Sequence, residues 1–95
     1  AAHMLAVLGS GPEDELLVQA MHYLKLYVQR IYKKNDLHVI GPAYAAVGKV
    51  KDIYRQVIYL KHEDYQVLVW IKDQLEKYIE INSGFRKLYI QFDFQ

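Results

Sequence analysis

Apolar and polar positions in this chain of 95 residues switch between a period of two and a period near 3.6. Met4 to Leu8 is a short apolar run stopped by Gly9-Ser10-Gly11-Pro12, which predicts a strand and a turn. Glu13, Asp14 and Glu15 then suit the positive end of a helix. Leu17, Ala20, Met21, Leu24, Val28 and Ile31 follow at three- and four-residue steps, one apolar stripe of a helix ending near Tyr32. Lys33-Lys34-Asn35 closes that helix with cations and a residue tolerant of left-handed geometry. Leu37 to Ile40 reads as a four-residue strand cut off by Gly41-Pro42, and a loop of small residues follows. Asp52 to Lys61 predicts a longer strand, and Asp64 is placed to cap a second helix. Leu68, Ile71, Leu75, Tyr78 and Ile79 form the apolar stripe of that helix, which Asn82-Ser83-Gly84 ends. Leu88, Ile90, Phe92 and Phe94 alternate with Lys87, Tyr89, Gln91 and Asp93 as a half-buried strand.

The order β-α-β-β-α-β predicts an α+β domain spanning residues 1–95. It comprises a four-stranded antiparallel sheet with two helices on one face, the ferredoxin-like arrangement. Strand phase supports this: Ile58, Leu60, Leu88, Ile90, Phe92 and Phe94 all fall on the side that would meet the helices. Arg55, Val57, Tyr59, Lys61, Tyr89 and Gln91 fall on the opposite, open face.

Composition narrows the classes. Hydrophobic residues make up 53% of the chain, enough for one buried core. No apolar run approaches a membrane span, and nothing at the start reads as a signal peptide. The absence of cysteine removes thiolate metal sites, disulfides and thiol catalysis together, and is compatible with a reducing cytoplasm. Net charge is only +1, but its distribution is uneven. Residues 33–61 carry six cations against Asp36 and Asp52, a net of +4, while residues 1–32 sum to −1 and residues 62–95 to −2. A local anion-facing patch fits this asymmetry. So does a solvated strand edge blunted with lysines against aggregation.

No catalytic motif emerges. There is no Gly-rich Lys-Ser/Thr phosphate loop. Gly9-Ser10-Gly11-Pro12 lacks the third glycine and the length of a dinucleotide fingerprint. His3, His22, His38 and His62 show no metal-ligand spacing. The nine tyrosines suit half-buried rings at a core margin. Tyr59 and Tyr89 differ, since strand phase turns them away from the helices. Beside Arg55 and Lys61 they suit a stacking platform for unpaired bases, or a face packed on another domain.

The segment Val39 to Lys61 closely resembles the C-terminal domain of the PriA replication-restart helicases, the bacterial primosomal protein N′ family. That family carries a Gly-Pro, a small-residue loop, a basic-hydrophobic-basic triplet, an aromatic-Arg pair and an apolar strand ending in Lys. Here these are Gly41-Pro42, Lys49-Val50-Lys51, Tyr54-Arg55 and Val57 to Lys61. The likeness extends from the first strand, Ala1 to Leu8, to the closing Ile90-Gln91-Phe92-Asp93 pattern. The resemblance implies a domain of a longer, cytoplasmic bacterial protein, with a fold similar to a small-subunit ribosomal protein.

It further implies a non-catalytic role. The parent would be an ATP-dependent DNA helicase, with ATP, magnesium and zinc bound elsewhere in its chain and no cofactor in this domain. The domain would help bind forked and single-stranded DNA at abandoned replication forks. It would contact the helicase core of the same chain, the acidic tail of single-stranded-DNA-binding protein and other primosome proteins, and no membrane. Lys49, Lys51 and Arg55 would neutralise phosphates or an acidic peptide, with Lys61, Arg86 and Lys87 as secondary candidates. A free-standing RNA- or ribosome-binding protein of the same fold is the alternative. A small acyl-phosphate hydrolase on this fold lacks a suitable anion-cradling loop, and a spacer docking through Trp70 completes the range.

Overall fold

The computed structural model describes residues 2–95. The elements are β1 (His3–Gly11), α1 (Asp14–Ile31), β2 (His38–Val50), β3 (Ile53–His62), α2 (Tyr65–Ile81), a short 3-10 turn (Ser83–Phe85) and β4 (Tyr89–Phe94). The strands form one sheet in the order β2-β3-β1-β4, with every neighbouring pair antiparallel. This is the α+β ferredoxin-like arrangement that the alternating periods predict. Its smallest dimension is 17 Å, the thickness of one sheet and one helical layer.

The helical stripe from the sequence is the buried stripe of α1: Leu17, Ala20, Met21, Leu24 and Val28. In α2 the buried residues are Leu68, Ile71 and Leu75. They close on Leu5, Val7, Ile58 and Leu60 of the sheet, all at most 1% exposed. Burying each such side chain contributes roughly 1.5–3 kcal/mol by transfer from water. Tyr27 stacks on Tyr78 with ring centroids 4.2 Å apart, joining the two helices at the core margin. Asp64 caps α2 by accepting a hydrogen bond from the Gln66 amide at 2.9 Å. Among the described residues no helix is long and apolar enough to cross a membrane.

The first strand runs on through Gly9-Ser10-Gly11, where a turn is expected, and the last begins at Tyr89, with Lys87-Leu88 in the turn before it. Three further boundaries differ from the sequence reading. The second strand does not stop at Ile40 but continues through Gly41-Pro42 to Val50. The stretch expected as a loop is strand because irregularities absorb its small residues: the β2–β3 register shifts between Ile40 and Ala43, and again between Tyr44 and Lys49. Second, Asp52 does not begin β3. It forms a two-residue hairpin turn with Lys51, both in the left-handed region at φ 50° and 66°. Third, Asn35 is not left-handed. The α1 cap is Tyr32 in extended geometry, its amide donating to the Val28 carbonyl at 3.0 Å.

Gly41 makes the first irregularity possible. Its φ is +97°, and a Cβ built there would lie 2.7 Å from the Val57 carbonyl oxygen. Both backbone conformation and space exclude a side chain. Gly41→Ala is expected to destabilise the fold by about 1–3 kcal/mol. Gly84→Ala, where a Cβ meets nothing within 4 Å, should change stability by no more than about 0.5 kcal/mol. Urea denaturation midpoints of the two variants check the difference.

Candidate nucleic-acid interface

Antiparallel pairing brings the β2–β3 hairpin, the β1–α1 turn and the α2–β4 connection to one end of the sheet. Five of the cations singled out in the sequence sit there: Lys49 at the end of β2, Lys51 at the tip, Arg55 early in β3, and Arg86 and Lys87 just before β4. They do not share one face. Lys49 pairs with Tyr54 in the ladder and lies over its ring at 5.2 Å, on the helix side, while its ammonium sits 3.4 Å from Asp52. Arg55 alternates onto the open face. The basic triplet is therefore wrapped around a hairpin end rather than presented as a flat row.

Lys87 is 3.6 Å from Glu13, with both side chains largely exposed. Such a surface pair holds its partners only weakly. Among the described residues, Lys51, Arg55 and Arg86 have no ion-pair partner. The first-turn acid Asp14 is engaged elsewhere: the Tyr44 hydroxyl donates to its Oδ1 at 2.6 Å, which raises the Tyr44 pKa above the usual phenol value.

On the open face, Arg55 and Tyr89 flank Ser10 from the two sides, since each pairs with it across the sheet. Tyr89 is 63% exposed and free to stack. Tyr59 lies four residues further along, opposite Ala6. Strand spacing and rise put Tyr59 and Tyr89 about 16 Å apart, and Arg55 about 20 Å from Lys61. Tyr59 and Lys61 therefore belong to the far half of the face, and the two tyrosines do not form a continuous stacking surface. Val57 is on the open side as its phase requires but is not displayed: it is only 8% exposed, set between Ala43 and Leu8 on the flanking strands.

The opposite end of the molecule holds a cluster that sequence spacing does not reveal. The Tyr32 hydroxyl donates to Asp36 Oδ1 at 2.7 Å and lies 3.0 Å from His62 Nε2, which is 3.2 Å from Asp36 Oδ2. His62 Nδ1 accepts from the Asp64 amide at 2.8 Å, so in the neutral ring Nε2 carries the proton. The bond to Asp36, then burial, then the charges of Asp36 and Asp64 push the Tyr32 hydroxyl up to about 12. The same hydroxyl, followed by His62, holds the Asp36 carboxyl below the usual carboxylate range. This group ties the α1–β2 connection to the β3–α2 junction. His62 stands 26 positions from Asp36 and 30 from Tyr32, and only the folded sheet brings it to them.

Beside it, the end of α1 and the start of α2 form an open groove of about 730 Å³, lined by Arg30, Lys33, Lys34, Val67 and Trp70 among others. Trp70 is 44% exposed there. Among the described residues no group of three or more His, Asp or Glu is arranged to hold a metal ion.

No family model matches the chain, and no curated protein matches it. Solved structures share its architecture. A de novo designed protein, Foldit4, superposes over 100% of this chain and 97% of its own with a TM-score of 0.75 at 10% identity. A hydantoinase/carbamoylase family amidase from Burkholderia ambifaria gives a TM-score of 0.60 at 15% identity, and this chain spans 27% of its length. At such identities the likeness shows the fold alone.

Two outcomes test this geometry. The stabilisation from Asp36 is complete above roughly pH 4, where an unfolded aspartate is ionised, and is lost as pH falls through its lower folded value. That from Tyr32 is complete below the ordinary phenol value and is lost as pH rises through about 12. The stability difference between wild type and Tyr32→Phe should therefore be flat across neutral pH and narrow on both flanks, as urea midpoints across pH would show. At the hairpin, left-handed Lys51 and Asp52 each carry a steric cost that Asn-Gly avoids. Lys51→Asn with Asp52→Gly is expected to stabilise the domain by roughly 1 kcal/mol, read by the same denaturation assay.

Proposed function

We propose that this chain is the non-catalytic C-terminal domain of a PriA-type replication-restart helicase, and that its hairpin end binds DNA phosphates near a fork junction. The observation that carries the reading is the convergence at one end of the sheet of Lys49, Lys51, Arg55, Arg86 and Lys87, drawn from two separate connections. The Lys49-Val50-Lys51 triplet that resembles the family builds one of those connections, at the end of the strand that Gly41-Pro42 interrupts.

Wrapped around a rigid hairpin, the cations suit a phosphate backbone that bends past the domain edge and carry no base-specific geometry. Lys51 adds a second line of support. A lysine held in the left-handed region at a two-residue turn gives up stability that Asn-Gly would supply, the kind of local strain that clusters where function needs a particular side chain. Tyr89 beside Arg55 offers one exposed ring for an unpaired base. The same reading assigns partners to the rest of the surface. The helicase core of the parent chain would cover part of the open sheet. The groove with Arg30, Lys33, Lys34 and Trp70 suits an acidic tail such as that of single-stranded-DNA-binding protein.

Fluorescence anisotropy with labelled forked and single-stranded DNA, from low to physiological salt, tests the DNA reading. Binding should fade steeply with salt. Lys49→Ala with Lys51→Ala should lower affinity and flatten the log–log salt slope by roughly 0.7–0.9 for each phosphate contact removed. Lys51→Asn with Asp52→Gly should weaken binding while the fold gains stability. An unchanged slope in these variants would overturn the assignment.

A further inference from the structure

The two edges of the sheet are built differently. The β2 edge is interrupted by Pro42, which has no amide hydrogen, by left-handed Gly41 and by two register shifts, and it ends in Lys49-Val50. These are devices that stop one sheet edge from pairing with another. The β4 edge has no such interruption. Its sequence, Tyr-Ile-Gln-Phe-Asp-Phe, contains no proline, glycine or lysine, and it pairs with β1 without a register shift.

The orientation of its backbone is fixed by one bond. The Gln95 amide donates to the Met4 carbonyl at 2.8 Å, so the odd-numbered residues of β4 direct their backbone groups at β1. The N–H and C=O groups of Ile90 and Phe92 therefore point outward along the free edge.

That edge is self-complementary. In an antiparallel pairing centred on Ile90, Leu88 meets Phe92 and Tyr89 meets Gln91, and Lys87, in the turn just before β4 and only weakly held by Glu13, comes up against Asp93. Each pair matches in kind and lies on one side of the sheet, because directly opposed residues share a face. Lys87 and Asp93 are both exposed, and the pairing would form two opposite-charge contacts, one on each side of the axis.

We propose that β4 pairs with β4 of a second copy of this chain about a two-fold axis at Ile90, joining two four-stranded sheets into one of eight. Ile90 exchanges backbone hydrogen bonds with its own symmetry mate. The Phe92 amide of each copy donates to the Leu88 carbonyl of the other. The Leu88 amide is already committed to Phe85 at 3.0 Å and is not required. An isologous contact of this kind closes on itself and leaves only the two guarded β2 edges exposed.

Sedimentation equilibrium from micromolar to near-millimolar concentration reads the association directly. Wild type should show a monomer–dimer equilibrium, with amide exchange at Ile90 and Phe92 slowing as concentration rises. Asp93→Lys and Lys87→Asp, each placing two like-charge pairs in the interface, should each weaken dimerisation roughly tenfold. Combined in one chain they should restore it. Circular dichroism confirms that each exposed substitution leaves the fold intact. A monomer at every concentration, an association indifferent to the single reversals, or a double variant that fails to recover would each overturn the proposal.

Discussion

Pairing of β1 with both of its neighbours is the constraint on which the rest of this structure depends. β1 joins β3 over nine residue pairs and β4 over six, so every other strand is placed relative to it. Its helix-facing residues, Leu5 and Val7, are fully buried and fix the floor of the core. Gly9 sets how closely α1 approaches: a Cβ there would fall 2.5 Å from the Met21 sulfur. On the other face the small Ser10 of β1 is the residue set between Arg55 and Tyr89, with the larger Leu8 next along the strand. The placement of the candidate site thus follows from the same strand that organises the core.

Much of the architecture was legible because it rests on periodicity. The stripes Leu17 to Val28 and Leu68 to Leu75 are buried as their spacing dictates, and Ile58, Leu60, Ile90 and Phe92 face the helices as strand phase requires. The second strand was not legible past Ile40, since Gly-Pro normally marks a break and Ala43 to Gly48 offers no alternation. Its strand character comes from pairing with β3, a long-range effect that local propensity does not encode. The burial of Val57 was hidden for a related reason: phase names a face but not how closely neighbouring strands crowd it.

The candidate site was legible as a set of residues more than as a surface. Lys49, Lys51 and Arg55 are adjacent in sequence, yet a turn at Lys51-Asp52 sends Lys49 to the helix side and Arg55 to the open side. Arg86 and Lys87 join them only through the return of α2 to β4. Tyr59 and Lys61, near in sequence to Arg55, lie toward the other half of the sheet. The Tyr32–Asp36–His62 group shows the limit of spacing arguments most plainly. Its histidine looked isolated because its partners come from another connection altogether. Among the described residues, the buried side-chain oxygen of Gln56 has no hydrogen-bond partner.

The arch in β2 between Tyr44 and Lys49 sets five steps of one strand against two of the other, from Gln56 to Tyr54. Both ends of the arch leave their side chains on the helix side: Tyr44 reaches Asp14, and Lys49 covers Tyr54. Slack in the chain is thus taken up outside the ladder, and the pairing on either side is insulated from it. Insertions or deletions between Ala45 and Gly48 would alter the height of an arch while leaving the phase of the hairpin and the setting of its cations untouched. Length variation among homologous sequences has a natural home in those four positions.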